Sequence, residues 1–280
     1  MRRRKPDSDG GFLTCESDAN PSRTRTPRAK KGLGQHFLHR RATAERIVRL
    51  LEIGPQDRVL EIGPGAGALS GLLRKARPAC LLLLEKDGYW AAERQKAGDG
   101  QVALMDALRF DWRRITPERP WKIIGNLPYN VASPLLWDIA CQAEGLQRAV
   151  CMVQKEVALR IVASPDTKKY GALSVWVQSF LQARLAFEVG AGAFTPPPKV
   201  DSAVVVFAPL PLAQRARRPE ALAAVLKMCF QNRRKQLQRI FRMHNRENAL
   251  PVLRELDIDP QSRPEHLAPK LFQELSARLY

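Results

Sequence analysis

The sequence predicts an α/β fold: a mostly parallel seven-stranded sheet, followed by a small all-helical C-terminal domain. Two observations predict it. Short apolar runs typical of buried strands alternate with helical segments as far as residue 211, and beyond Pro209-Leu210-Pro211 only helical periodicity continues. Alternating strands and helices are typical of βαβ units, which build parallel sheets.

The predicted elements follow in a regular order. Apolar residues at helical spacing predict a first helix over residues 43–53, and a second helix is expected over 68–75. Five buried strands are predicted at 58–62, 79–84, 102–105, 121–125 and 149–153. Two further runs, 183–189 and 203–207, lack a long helix between them, so they predict an antiparallel hairpin at the sheet edge.

Charge and composition narrow the function classes. The net charge is +18, from 46 Lys and Arg against 28 Asp and Glu, which indicates a polyanionic partner such as nucleic acid. No apolar run approaches the ~20 residues that span a membrane, so we expect no membrane contact. Five cysteines without a C-x-x-C pair indicate a reducing compartment and no metal site.

The first residues differ in composition from the rest. Residues 1–29 are rich in Arg, Ser, Thr and Pro and poor in apolar residues, so a disordered basic tail is predicted there. No apolar segment follows Met1-Arg2-Arg3-Arg4-Lys5, so we expect no secretory signal. We therefore divide the chain into this tail, a ligand-binding domain over 30–211 and a helical domain over 212–280.

Glycines and carboxylates follow the first three predicted strands. The run Glu61-Ile62-Gly63-Pro64-Gly65-Ala66-Gly67 ends one strand and opens a helix, where glycines permit a tight turn and close approach of a ligand. Glu85 ends the next strand, where a carboxylate suits the ribose hydroxyls of an adenosine-containing cofactor. Asp106 ends the third and could accept from an adenine amine or cap a helix. The glycine loop alone does not distinguish NAD from S-adenosylmethionine (SAM) as the cofactor.

A polar and aromatic tetrapeptide, Asn126-Leu127-Pro128-Tyr129, ends the fourth strand. Amide and backbone oxygens accept hydrogen bonds from an exocyclic amine, and a tyrosine ring stacks on a base. An ordinary strand-ending turn is the alternative. The loops after consecutive strands of an open sheet meet at one crevice, and Gly63, Glu85 and Asp106 fall at the same edge as this tetrapeptide. Their common location favours a ligand-binding site over an ordinary turn.

Six sequence blocks occur together in one order. They are Gly34-Gln35-His36-Phe37-Leu38, Glu61-Ile62-Gly63-Pro64-Gly65, Asp106-Ala107-Leu108, Asn126-Leu127-Pro128-Tyr129, Gln154-Lys155-Glu156-Val157 and Phe194-Thr195-Pro196-Pro197-Pro198-Lys199-Val200-Asp201-Ser202. From about Lys31 to the C-terminus, this arrangement resembles the ribosomal RNA adenine dimethyltransferase family of the small-subunit type.

The resemblance implies a Rossmann-like SAM-dependent methyltransferase domain and a helical RNA-binding domain. It implies two methyl transfers to N6 of each of two adjacent adenines in the 3′-terminal hairpin loop of small-subunit rRNA. Its cofactor-binding positions map onto His36, Leu38, Gly63, Gly65, Glu85, Asp106 and Asn126. Its catalytic positions map onto Asn126, Leu127, Tyr129 and Phe194, with Tyr129 and Phe194 on opposite faces of the target base.

A basic run, Asn232-Arg233-Arg234-Lys235-Gln236-Leu237, lies in the predicted helical domain. We expect Arg233, Arg234 and Lys235 to contact RNA phosphates, although a solvated helix face is the usual interpretation of such a run. Arg233 falls on the apolar face of an unbroken helix, so either the helix bends near Gln231-Asn232 or Arg233 reaches an anion. The expected setting is a cytoplasmic monomer acting on small-subunit rRNA within a pre-30S-like particle.

Three other interpretations remain open at the level of sequence. A large-subunit rRNA methylase of the macrolide-resistance type shares much of the motif set, although the triple-proline block and the long C-terminal domain favour the small-subunit type. An NAD-dependent oxidoreductase would explain the glycine loop but neither Asn126–Tyr129 nor the charge. A non-catalytic role in ribosome assembly is possible as an additional function.

Overall fold

The structure, a computed structural model, describes residues 35–280. The predicted tail over residues 1–29 lies outside the described residues. The strands are β1 (Phe37–Leu38), β2 (Arg58–Ile62), β3 (Cys80–Glu85), β4 (Gln101–Leu104), β5 (Trp121–Asn126), β6 (Leu146–Gln154), β7 (Leu181–Val189), β8 (Phe194–Thr195) and β9 (Ser202–Pro209). The α-helices are α1 (Arg41–Leu50), α2 (Ser70–Lys75), α3 (Gly88–Ala97), α4 (Ala132–Gln142), α5 (Lys155–Ile161), α6 (Ala172–Gln178), α7 (Pro219–Gln231), α8 (Leu237–Met243), α9 (Ala249–Glu255) and α10 (Pro269–Leu279).

Seven of these strands form one sheet in the order β4-β3-β2-β5-β6-β9-β7. The pairs from β4 to β6 are parallel, whereas β9 runs antiparallel to both β6 and β7. The predicted mostly parallel seven-stranded sheet is therefore confirmed, as is the antiparallel β7–β9 pair at its edge. A separate two-stranded ribbon joins β1 to β8.

Several predicted boundaries were wrong by a few residues. Strand β6 begins at Leu146 rather than at residue 149, because Leu146 already pairs with Trp121 of β5. Helix α1 begins at Arg41 and ends at Leu50, whereas 43–53 was predicted. Helix α2 begins at Ser70 rather than at 68, because the chain first completes a glycine-rich turn.

Two hydrophobic clusters pack against the sheet. Consecutive strand residues such as Val59 and Leu60 belong to different clusters, as expected when side chains alternate between the two faces of a sheet. The larger cluster joins Leu60 to residues of α7 and α10, including Leu226 and Phe272. The sheet region and the C-terminal helices therefore share one continuous core, and the division at 211/212 stays a prediction.

The region after residue 211 contains helices and turns in the structure, as the periodicity predicts. Helix α7 ends at Gln231, so the helix is interrupted at the position where the sequence predicted a bend. Among residues 35–280, no helix has both the length and the apolar character needed to cross a membrane.

Candidate active site

A cleft opens at the carboxyl ends of the parallel strands β2, β3 and β5. Its walls include residues from the segment before α1, the glycine loop after β2 and the start of α4. The predicted residues that line it are His36, Leu38, Gly63, Gly65, Glu85, Asp106, Asn126, Leu127 and Tyr129. The topology thus brings together side chains that are far apart in sequence, as expected for an open α/β sheet.

The glycine loop needs its glycines for conformation and for space. Gly63, Gly65 and Gly67 have φ angles of 65°, 49° and 85°, a region that side chains rarely adopt. A Cβ atom on Gly67 would lie 1.8 Å from a guanidinium nitrogen of Arg94. That guanidinium donates to Asp99 at 2.9 Å, so an ion pair packs directly beneath the loop.

Glu85 anchors the loop from the neighbouring strand. One carboxylate oxygen accepts from the backbone N–H of Gly65 and the other from that of Asp87, each at 2.9 Å. Burial raises the pKa of this carboxyl group, and the two backbone donors oppose that rise. Each oxygen keeps lone pairs for further donors, so Glu85 can accept from ribose hydroxyls as predicted.

Asp106 lines the cleft from the turn that follows β4. Its side chain pairs with Lys86 at 2.7 Å and caps the following turn by accepting from the Leu108 N–H at 3.1 Å. The hydrogen bond from Lys86 lowers the pKa of Asp106, so the group is an ionised acceptor near neutral pH. Both of its predicted uses, helix cap and amine acceptor, are compatible with this geometry.

Glu61 is a cleft residue to which the sequence motif assigned no role. Its side chain is only 1% exposed, and burial, with the negative charges of Asp99 and Glu85 adding, raises its pKa to about 8. One carboxyl oxygen has no hydrogen-bond partner among residues 35–280. In the sequence, only its position directly before the glycine loop indicated a role for Glu61. Its burial could not be predicted from the sequence.

Asn126 is oriented by the segment that precedes α1. Its side-chain nitrogen lies 2.9 Å from the backbone oxygen of His36. A carbonyl oxygen only accepts, so the NH2 group faces His36 and the amide oxygen of Asn126 remains available to a donor in the cleft. The next residue, Leu127, is buried, and its N–H donates to the Met152 oxygen at 3.0 Å, which ties the motif to β6.

Tyr129 forms a half-buried wall of the cleft. Its hydroxyl lies 2.6 Å from the Ser202 hydroxyl, and the His36 ring stacks on it with centroids 5.5 Å apart. Burial raises the pKa of Tyr129, which therefore stays protonated near neutral pH. A neutral aromatic ring at this position can stack on a base, as predicted.

One predicted site residue, Phe194, does not line the cleft. Phe194 is 2% exposed, belongs to the smaller core cluster and does not line the cleft, because β8 pairs with β1 and directs it inward. In this conformation it packs rather than presenting a face to a base. Leu38, its partner in the ribbon, is buried beside it and still contributes to the cleft wall.

The three predicted RNA-contact residues differ in their contacts and exposure. Arg233 donates to Glu265 at 2.5 Å and to the carbonyl oxygens of Lys168 and Thr167 at 3.1 and 3.2 Å. Lys235 contacts the sulfur of Met243 at 3.1 Å, whereas Arg234 is exposed. Arg233 therefore holds the helical region against the loop before α6. The anion that the sequence predicted for Arg233 is the carboxylate of Glu265, from the same chain.

Comparison with known proteins shows the family to which the chain belongs. Residues 26–279 match the family model described as ribosomal RNA adenine dimethylase. The chain belongs to the ribosomal RNA adenine dimethylase family. It is 55% identical over 256 residues to a ribosomal RNA small subunit methyltransferase A of Nitratidesulfovibrio vulgaris, a match that covers 88% of this chain and 94% of the relative. A relative with the same name from Lawsonia intracellularis is 46% identical, over 90% and 94% of the two chains.

Solved structures of two methyltransferases share the fold. A dimethyladenosine transferase from Plasmodium falciparum superposes with a TM-score of 0.74 at 25% identity, covering 86% of this chain and 96% of that one. The 23S rRNA methyltransferase ErmE superposes with a TM-score of 0.62 at 25% identity, covering 87% and 99%. This member of the family is thus a SAM-dependent rRNA adenine dimethyltransferase with a Rossmann-like fold, and the interpretation as an NAD-dependent oxidoreductase is discarded.

Proposed function

We propose that this enzyme transfers two methyl groups to N6 of each of two adjacent adenines in the 3′-terminal hairpin loop of small-subunit rRNA. The observation that carries the chemistry is the orientation of Asn126, whose amide nitrogen is held by His36 at 2.9 Å. The amide oxygen is then an acceptor fixed at the carboxyl end of β5. An acceptor at that position suits an exocyclic amine.

The residues of the cleft fit the cofactor. Glu85 would accept from the ribose hydroxyls, Asp106 from the adenine amine, and the backbone around Gly63 and Gly65 would pack against the methionine portion. When bound, SAM would supply a methyl group activated by its positively charged sulfur, which would keep the electron pair of the carbon–sulfur bond. The protein is then required mainly to align the two reactants.

In the first transfer, the Asn126 oxygen and the Leu127 carbonyl would both accept from the N6 amine of the target adenine, and in the second the one remaining N–H would donate to one of them. The lone pair of the amine is delocalised into the ring, and two acceptors favour a pyramidal nitrogen whose lone pair points at the methyl group. As the new N–C bond forms, positive charge develops on nitrogen, and the two carbonyl dipoles stabilise it. No base is needed before attack, because the proton leaves to water afterwards.

Tyr129 would stack on the target base and fix its plane. A base inside a helix would first have to be flipped out, which favours loop adenines as substrates. Phe194, expected on the opposite face of the base, is buried here, so contact with a base would require the segment 194–201 to move. We therefore assign the stacking role to Tyr129 first.

The partner proposed for this site is small-subunit rRNA within a pre-30S-like particle. A net charge of +18 supports binding to a polyanion, and exposed Arg234 is available to phosphates. Each catalytic group named above comes from a single chain, so we propose that the enzyme acts as a monomer.

Large-subunit rRNA is the alternative substrate, and the structural likeness to ErmE keeps it in view. The 55% and 46% identical relatives named as small-subunit methyltransferases favour the first proposal. Incubating the enzyme and radiolabelled SAM with isolated, unmethylated small and large subunits separates the two. Label in small subunits supports the proposal, and label confined to large subunits overturns it.

A further inference from the structure

The ring of Tyr129 is held by two residues outside the motif that carries it. Its hydroxyl lies 2.6 Å from the hydroxyl of Ser202. On one face it is stacked by the imidazole of His36, with ring centroids 5.5 Å apart and an angle of 27° between the planes. The ring is thus fixed both at its outer edge and on one face.

Ser202 is a rigid anchor for the hydroxyl. It is the first residue of β9 and is 0% exposed. In the sheet it pairs with Gln154 of β6 on one side and with Val189 of β7 on the other. Because both neighbouring strands hold its backbone, Ser202 cannot follow a movement of the tyrosine ring.

His36 is itself held by the segment that follows β8. Its Nδ1 atom lies 2.8 Å from the backbone oxygen of Pro196, and a carbonyl oxygen only accepts, so Nδ1 carries the proton. The following residues, Phe37–Leu38, pair with Phe194–Thr195 in the two-stranded ribbon. The backbone oxygen of His36 also accepts from Asn126. One residue therefore contacts both the amide and the ring of the catalytic motif.

We propose that Ser202 and His36 are positioning residues for methyl transfer, which hold the Tyr129 ring so that only the face opposite His36 is presented to the target base. The inference rests on the proposed function and deepens it. A tyrosine anchored only by its backbone samples several rotamers, and each misplaced one moves the stacked base away from the Asn126 oxygen. Fixing the ring before the base arrives removes that loss.

A double-mutant cycle tests the Ser202 anchor. Ser202→Ala and Tyr129→Phe remove the same hydrogen bond, so each should slow single-turnover methylation of small subunits by roughly five- to tenfold, with SAM affinity unchanged. The double variant should be no slower than the slower single variant. Ser276→Ala, which truncates a buried serine that donates to Gln273 in α10, is the matched control and should keep the wild-type rate. An unchanged rate for Ser202→Ala, or a double variant slowed by the product of both factors, overturns the proposal.

A second readout needs no methylation. The sequence contains four tyrosines, so 3-fluorotyrosine labelling of the full chain gives four fluorine NMR signals, and Tyr129→Phe identifies one of them. Ser202→Ala and His36→Ala should each move or broaden that signal and leave the others in place, whereas Ser276→Ala should move none of the four. An unmoved Tyr129 signal overturns the positioning role. A wild-type enzyme that fails to methylate small subunits would overturn the proposed function and leave this NMR result valid.

Discussion

The side-chain amide of Asn126 donates a hydrogen bond of 2.9 Å to the backbone oxygen of His36. The two residues are 90 positions apart in the chain and meet because β5 ends beside the segment that leads into α1. The bond directs the amide oxygen of Asn126 into the cleft. It thereby links His36, a predicted cofactor-binding residue, to the oxygen that would accept from the target amine.

Replacing Asn126 tests this link. Asn126→Asp puts a carboxylate oxygen next to the His36 oxygen, and two acceptors repel each other, so the side chain must turn away. We expect single-turnover methyl transfer to fall by at least ~10²-fold, the effect of losing one preorganised polar contact. Asn126→Ala should show a similar loss of rate, with SAM affinity in calorimetry changed little. A wild-type rate for Asn126→Asp would contradict the assigned orientation.

The glycine loop offers a matched pair of glycine substitutions. Gly67→Ala introduces a Cβ atom 1.8 Å from Arg94 at a φ of 85°, so the Arg94–Asp99 pair must shift and the loop with it. We expect SAM affinity to fall at least ~10-fold and stability to fall by about 1–2 kcal/mol, the usual penalty for a side chain in the left-handed region. Gly71→Ala meets open space in α2, so it should leave SAM affinity unchanged and keep or slightly raise stability, because alanine favours a helix more than glycine does. Equal behaviour of the two variants in calorimetry and thermal unfolding would refute the role given to Gly67.

Arg233 and Arg234 are adjacent arginines with different expected roles. Arg233→Met leaves Glu265 and two carbonyl oxygens without their donor, so we expect a loss of about 1–3 kcal/mol in denaturant unfolding. Arg234 is exposed, so Arg234→Met should leave stability unchanged.

For RNA binding the order of these two variants should reverse. Arg234→Met should weaken binding to small-subunit rRNA and lower the slope of log affinity against log salt by about one, as expected for one lost phosphate contact. Arg233→Met, measured where it is folded, should retain the wild-type slope. The opposite assignment of the two effects would restore the sequence-based prediction for Arg233.

Burial of Glu61 predicts a pH dependence of stability. The pKa of its carboxyl group is 4.5 when unfolded and about 8 when folded, so the folded state binds the proton more tightly. The contribution to stability is therefore full below about pH 4.5, and it is lost as the pH rises to about 8, with a slope of at most about 1.4 kcal/mol per pH. Glu61→Gln removes this titration, so the variant should gain stability relative to the wild type as the pH rises from 5 to 9. Exposed Glu255→Gln is the control, and a Glu61→Gln difference that does not change with pH would refute the burial argument.

Much of the fold could be predicted from sequence because strand runs such as residues 80–84 are apolar, short and bounded by turn residues. The cleft followed from the same pattern, since Gly63, Glu85 and Asn126 each lie at the carboxyl end of a strand in a parallel sheet. The contacts that orient the site were not predictable. Tyr129 meets Ser202 across 73 positions, and spacing along one chain does not specify such long-range pairs.

Burial was also beyond the reach of the sequence pattern. Phe194 lies in a motif expected to contact a base, yet the pairing of β8 with β1 turns it into the core. Arg233 lies in a basic run, yet Glu265 comes from a segment 32 positions further on and pairs with it. In both cases a partner contributed by another part of the chain decides what the side chain does.

The most direct test of the central claim is to map N6,N6-dimethyladenosine by mass spectrometry on rRNA from unmethylated small subunits, after incubation with the purified enzyme and SAM. We predict two methyl groups on each of two adjacent adenines in the 3′-terminal hairpin loop, and none when Asn126→Ala replaces the wild-type enzyme for the same time. Methylation at any other rRNA position, or an Asn126→Ala variant as active as the wild type, would contradict the proposed function.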